Sequence, residues 1–185
     1  MDFLYLPSTC SNRGLEALMR KLMLAVCALA VCLPLSVKGQ DPMAVTVEYT
    51  KILPIDGLPL SLVHLNDKTV GAVFQPPTVY AMRARAKEAT LVYVQGTAQR
   101  SIELDSTRFT IDQDGQSMPG TATNIKNFMR GKNKLATGDR VDGVLTFAKK
   151  VDLTRAFTVT YDKDMAAEFK FNSNQVRAMT APASN

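Results

Sequence analysis

His64 is the single histidine of this 185-residue chain, and that count limits the chemistry its side chains support. It lies in the apolar segment LVHL, residues 62–65, where a histidine is usually a packed side chain rather than a ligand or a base. Copper sites of sandwich domains and zinc sites need several histidine or cysteine ligands. A Ser-His-Asp triad would have to use His64, and no serine lies in a nucleophile-elbow sequence. We therefore predict no catalytic residue, no metal site and no cofactor.

The acidic residues favour structural roles as well. The sequence from Asp112 to Gly115 resembles the start of a calcium loop, but its glycine comes too early and its twelfth position is Thr123. A hairpin turn accounts better for Asp114-Gly115. The glutamates after Gly39 show no pair suited to glycoside hydrolysis, and the chain has no tryptophan to form a sugar platform. We predict that the protein is not an enzyme.

Two groups of basic residues are the candidates for binding. The first alternates with small residues within positions 83–87, and the second lies in the segment KNFMRGKNK, residues 126–134. Together they would form a cationic patch for an acidic protein or an anionic component of a cell envelope. The alternative is a solvated face plus a loop whose Phe128 packs into the core. The candidate binding residues are Arg83, Arg85, Lys87, Lys126, Arg130, Lys132 and Lys134.

Residues 1–39 indicate export. A basic start at Met19-Arg20-Lys21 precedes a continuous apolar stretch over residues 22–35, and residues 37–39 suit a signal peptidase. As a helix this stretch reaches only about 21 Å, short of the roughly 30 Å core of a bilayer, which favours a cleaved signal over a spanning helix. The residues before Met19 fit no signal, so translation begins at Met1 or at Met19.

Two alternatives to cleavage after Gly39 remain open. The segment stays in place as an N-terminal anchor, or Cys32 is acylated as in a lipoprotein, although Val31 is bulkier than such signals favour. Membrane association would follow only in these two cases. Otherwise we expect a secreted or periplasmic protein.

Cleavage after Gly39 would leave residues 40–185, enough for one domain with an adequate core. All three cysteines precede the cut, so the mature domain would rely on packing rather than on disulfides. Its net charge falls to about +3 without a block of like charge, which argues against a nucleic-acid partner. We predict a domain over residues 40–177 and a flexible tail over residues 178–185.

Alternation with a period of two dominates this part of the chain. Each alternating segment has one apolar and one polar face, as a half-buried strand does. Residues 91–94 are apolar on both faces and predict a central strand. Residues 141–147 predict another strand, in which Gly143 marks a bulge or a close approach. The alternating segments are residues 45–50, 101–105, 108–112, 157–162 and 168–172.

Turn-forming residues separate the strands at Asp114-Gly115, Thr137-Gly138-Asp139 and Asp162-Lys163-Asp164. Residues 58–65 fit a strand or a packed loop. Residues 78–89 fit a helix by their alanines or a strand by their alternation, and we favour a short helix or an irregular crossover. Short strands with frequent turns indicate an antiparallel sandwich or barrel.

The order of strands and turns over residues 89–172 resembles a known family. The resemblance rests on the segments IELD at 102–105, FTID at 109–112 and GVLTF at 143–147, with their intervening turns. It is to immunoglobulin-like sandwich domains of secreted bacterial proteins, many of unknown function, related to the mycobacterial immunoprotective extracellular antigen. The resemblance implies an all-β, antiparallel immunoglobulin-like β-sandwich, here preceded by an N-terminal signal helix. It supplies no catalytic residue.

The sequence therefore predicts an exported, non-enzymatic immunoglobulin-like domain that binds an unidentified protein or anionic envelope component. One alternative is a secreted hydrolase or metal-dependent enzyme with an unrecognised site. Another is an envelope-tethered lipoprotein with a structural role.

Overall fold

Ten strands and three helices make up most of residues 46–180, the part of the chain described by this computed structural model. The signal peptide predicted for residues 1–39 and the choice between Gly39 and Cys32 lie outside the described residues. The strands are β1 (Thr50–Ile55), β2 (Leu58–His64), β3 (Thr90–Thr97), β4 (Ile102–Asp105), β5 (Phe109–Gln113), β6 (Gln116–Lys126), β7 (Lys132–Leu135), β8 (Arg140–Phe147), β9 (Phe157–Tyr161) and β10 (Met165–Phe169). The helices are α1 (Asp67–Val73), α2 (Thr78–Glu88) and α3 (Ser173–Thr180), and a 3-10 turn spans Ser106–Arg108.

Eight of these strands form one antiparallel sheet in the order β1-β2-β3-β8-β6-β5-β9-β10. The first and last strands of that order, β1 and β10, lie beside each other, so the sheet curls into a nearly closed barrel. Strands β4 and β7 pair with each other as a separate two-stranded ribbon.

The predicted immunoglobulin-like sandwich is therefore wrong, because a sandwich needs two separate sheets that face each other. Strand β6 makes the difference. Its first half pairs with β5 and its second half, from Gly120, pairs with β8, which joins all eight strands. Gly120 lies where β6 changes partner, and a Cβ there would come within 2.9 Å of the Phe147 ring. A glycine at such a corner lets the two strands approach closely.

The alternating segments 108–112, 157–162 and 168–172 place their apolar residues in the core, as predicted, whereas Val47 of the segment 45–50 is exposed. Phe109 and Ile111 of β5 and Phe157 and Val159 of β9 are all buried, and Phe157 stacks on Phe169 of β10 with ring centroids 5.0 Å apart. The first strand differs from the prediction, since it begins at Thr50 rather than at position 45.

The two uncertain segments become strand β2 and helix α2. Helices α1 and α2 cover one face of the sheet, where they enclose a second, smaller core. Leu91 of β3 belongs to this second core, while its neighbour Val92 faces the barrel interior. A strand with a core on each side explains why residues 91–94 are apolar on both faces.

The turns follow the sequence prediction. Asp114 and Gly115 both have positive φ between β5 and β6, and Asp162 and Lys163 do between β9 and β10. These are the left-handed conformations that a two-residue hairpin turn requires. At the other end of the domain, α3 continues to Thr180, so the first three residues assigned to a flexible tail are helical. Within residues 46–180, no helix has the length and apolar character needed to cross a membrane.

Candidate functional site

A cavity of about 270 Å³ opens where the C-terminal end of β2, helix α2, the β8–β9 loop and the end of α3 come together. We call it the basic pocket, because three of its lining residues are cations and one is an acid. The cations are Arg83, Lys87 and Lys150, and the acid is Asp67. Apolar side chains, among them Leu65 and Met179, complete the lining.

Asn66 is fixed at the pocket by its role as the N-cap of α1. Its Oδ1 accepts hydrogen bonds from the backbone N–H groups of Lys68, at 2.9 Å, and Thr69, at 3.2 Å. The Thr69 hydroxyl oxygen accepts a hydrogen bond from the Asn66 backbone N–H at 2.9 Å, which completes a capping box. Because Oδ1 is used by the cap, the orientation of the amide is set, and Nδ2 remains as a free donor.

Helix α2 supplies two of the cations. Arg83 and Lys87 are four residues apart and therefore lie on one face of the helix. Arg83 is half-buried, and its Nη2 donates to the Asp67 backbone carbonyl at 3.4 Å. Arg85 is exposed and does not line the pocket.

Thr90, the first residue of β3, positions the third cation. Its buried hydroxyl donates to the Lys149 carbonyl and accepts from the Val151 backbone N–H, both at 2.9 Å. These two bonds fix the start of the β8–β9 loop on both sides of Lys150, so the lysine at the pocket is held by backbone contacts.

His64, at the end of β2, contributes a buried imidazole to the lining. The ring packs between Phe157 and Phe171, with centroids 5.8 Å and 5.5 Å away, which confirms the sequence expectation of a packed histidine. Burial, and secondarily the ammonium of Lys150, lowers the pKa of His64 to about 4. The imidazole is therefore neutral at neutral pH.

Three side chains of the lining hold buried nitrogens that lack any hydrogen-bond partner among residues 46–180. They are Nδ1 of His64, Nδ2 of Asn66 and Nε of Arg83. A buried donor without a partner costs about 1–3 kcal/mol. Polar groups in native proteins are rarely left so, and all three belong to residues of the pocket lining, where the nitrogens themselves are buried.

The other predicted binding residues lie elsewhere. Lys126 pairs with Asp142 near the start of β8, whereas Thr90 at the pocket pairs with Phe147 at its end. The five residue steps from Asp142 to Phe147 span about 17 Å. The structure thus brings Arg83 and Lys87 together with Lys150 and separates them from the group over residues 126–134.

That second group surrounds the loop between β6 and β7. Phe128 is fully buried there, as predicted, and Asn133 Nδ2 donates to the carbonyls of Met129 and Gly131 at 2.8 Å and of Leu104 at 3.2 Å. Lys132 is paired with Glu103. The hydrogen bonds explain the fixed shape of the loop, and its lysines and arginine form a solvated face.

Two residues of the basic pocket, Asn66 and Lys150, were missed by the sequence interpretation. The helical spacing of Arg83 and Lys87 and the cap-forming asparagine before α1 were local signals, whereas nothing local connects Lys150 to them. Within residues 46–180, no group of three or more His, Cys, Asp or Glu side chains is arranged to hold a metal ion.

Comparisons with known proteins add little to this description. No family model and no curated protein sequence matches the chain. The crystal structure of the yjhA protein from Bacillus subtilis is similar over 69% of this chain and 87% of that chain, with 14% sequence identity and a TM-score of 0.35. A likeness at this level assigns neither a fold family nor a function.

Proposed function

We propose that this chain is an exported binding protein, without catalytic activity of its own, that holds a small molecule in the basic pocket. The observation that carries the proposal is the cavity, whose lining combines apolar side chains with three cations that form no ion pair in the described part of the chain. Small-molecule sites are typically concave and largely apolar, with a few polar groups that fix the orientation of the ligand. The basic pocket has these properties.

The state of His64 supports binding rather than proton transfer. A general base works best when its pKa lies near the working pH. The pKa of His64 is about 4, and its ring is enclosed by two phenylalanines. His64 then contributes to the pocket as a neutral, packed side chain of the lining.

Ligand binding should depend on the space beside α2. Ala86 lines the pocket, whereas Ala84, on the same helix, is exposed and outside the lining. In a thermal-shift and calorimetric screen of small metabolites, we expect ligands that stabilise the unmodified protein. The variant Ala86→Trp should bind these ligands at least tenfold more weakly, because the indole fills the cavity. Ala84→Trp should bind them as tightly as the unmodified protein does.

The screen has two outcomes that count against the proposal. One is that no molecule stabilises the protein, or that Ala86→Trp and Ala84→Trp bind equally well. The other is chemical turnover of a bound molecule, measured by mass spectrometry of the recovered ligand, which would indicate an enzyme.

Export is supported by the basic start, short apolar core and small-residue exit of residues 19–39. We expect the protein recovered from its native host to begin at Gln40 and to fractionate with soluble extracytoplasmic proteins. Replacing Cys32 with serine should change neither result, because cleavage after Gly39 removes this residue. Intact-mass and N-terminal peptide analysis identify the first residue of the recovered protein. A lipid-modified cysteine at the N-terminus, or membrane association that is lost in Cys32→Ser, would show a lipoprotein instead.

A further inference from the structure

We infer that the ligand of the basic pocket carries an oxyanion, a carboxylate or a phosphate, that is bound by Arg83 and Lys150. This inference rests on the proposed function, since it names the chemical class of the molecule that the same pocket holds.

The charges that line the pocket favour an anionic ligand. Three cations and one acid line the cavity, and Arg83, Lys87 and Lys150 form no ion pair with any of residues 46–180. The acid, Asp67, forms no ion pair with Arg83, and the hydrogen bond between them uses the Asp67 backbone carbonyl. Like charges that share one cavity repel each other, so an anionic ligand would relieve this repulsion and a neutral one would not.

The hydrogen-bonding groups of the cations also favour an oxyanion. The guanidinium of Arg83 and the ammonium groups of Lys87 and Lys150 are donors with no acceptor capacity. The ligand must therefore present acceptors, and a carboxylate or phosphate presents several on one group. Hydrogen bonds from a guanidinium to such an oxyanion are also shorter and stronger than bonds to a neutral carbonyl.

The apolar residues of the lining indicate the chemistry of the rest of the ligand. Val151, Leu153 and Met179 line the cavity with apolar surface. An organic acid or phosphate ester with a short apolar body would place its charged group at the cations and its body against these side chains. An inorganic ion would use the charged side alone.

The test compares probes that differ in charge but not in shape. Hexanoate and hexanamide have the same chain, and inorganic phosphate tests the anion without a body. By isothermal titration calorimetry on the purified protein, hexanoate should bind at least tenfold more tightly than hexanamide, and phosphate should bind in competition with it. Tighter binding of hexanoate than of phosphate would identify the organic acid as the better match, and the reverse order would identify the phosphate.

Arg83→Gln and Lys150→Gln should each weaken hexanoate binding about tenfold or more. Arg85→Gln, on the same helix outside the lining, should leave it unchanged.

The failures are distinguishable. If hexanamide binds as tightly as hexanoate, or if Arg83→Gln and Lys150→Gln bind the anions as well as Arg85→Gln does, the oxyanion inference is wrong while the pocket still binds small molecules. The inference is also wrong if neither anion binds although another molecule from the screen does. If no molecule of any charge binds, the proposed function itself fails. Circular dichroism and the unfolding midpoint of each variant establish that a lost affinity is not a lost fold.

Discussion

Replacing Phe128 with alanine should lower the free energy of unfolding by about 3–5 kcal/mol, the range for removing a large buried aromatic side chain. Phe128 is fully buried, although it belongs to the loop between β6 and β7 rather than to a strand of the barrel. Its ring packs edge-on against Phe109, with centroids 5.9 Å apart, and lies directly over Gly143 of β8. The loop is therefore anchored through the core, and denaturant titration measures the loss.

Met129 provides the control, because it is the next residue and is 59% exposed. Met129→Ala should change stability by no more than about 0.5 kcal/mol. A double-mutant cycle tests the contact with Gly143, where a Cβ would overlap the Phe128 ring. Gly143→Ala should cost about 1–3 kcal/mol in the unmodified protein, as overpacking does, and much less in the Phe128→Ala background. Additive costs would contradict the contact.

Phe128 and Gly143 also show what the sequence reveals about this fold. For Phe128 the sequence offered packing into the core as the alternative to a binding patch, and for Gly143 it offered a bulge or a close approach. Both signals belong to single residues in their local context, and the structure shows the buried Phe128 and the close approach at Gly143. The same holds for the hairpin turn at Asp114-Gly115 and for the alternating strand β9.

The barrel could not be predicted in the same way. Strand β6 has the sequence QSMPGTATNIK, whose residues are mostly exposed or half-buried, so it lacks the apolar alternation that marks a strand. Hydrogen bonds to β5 and then to β8 define it, and those depend on partners distant in sequence. The pattern of strands and turns left a sandwich or a barrel open, and the resemblance to immunoglobulin-like domains led to the two-sheet sandwich.

The basic pocket was hidden for a related reason. The sequence interpretation assigned Arg83, Arg85 and Lys87 to one patch, whereas the helix separates Arg85 from the other two. Lys150 joins the pocket through the two hydrogen bonds of Thr90, about 60 positions earlier in the chain. Only the folded backbone brings the end of β2, helix α2, the β8–β9 loop and the end of α3 to one cavity.

The pH dependence of stability should report directly on His64 in this pocket. The pKa of His64 is about 4 in the folded protein and 6.5 for an unburied histidine. Between these two values the unfolded chain binds more protons than the folded one, so stability is unaffected above pH 6.5 and falls as the pH falls toward 4. The full effect is about 3 kcal/mol, of which about 2 kcal/mol develops by pH 5.

His64→Gln isolates this contribution, because glutamine does not titrate while the carboxylates of both proteins titrate alike. Denaturant unfolding at pH 7.5 and pH 5 should show that the unmodified protein loses about 2 kcal/mol more than the variant does. Equal losses in the two proteins would mean that His64 is not held neutral by burial. Saturating phosphate should reduce the difference, since an anion beside the imidazole favours its protonated form and raises the pKa of His64. The same titration thus connects the buried histidine to the charge of the ligand, because a neutral ligand would leave the pH dependence as it was.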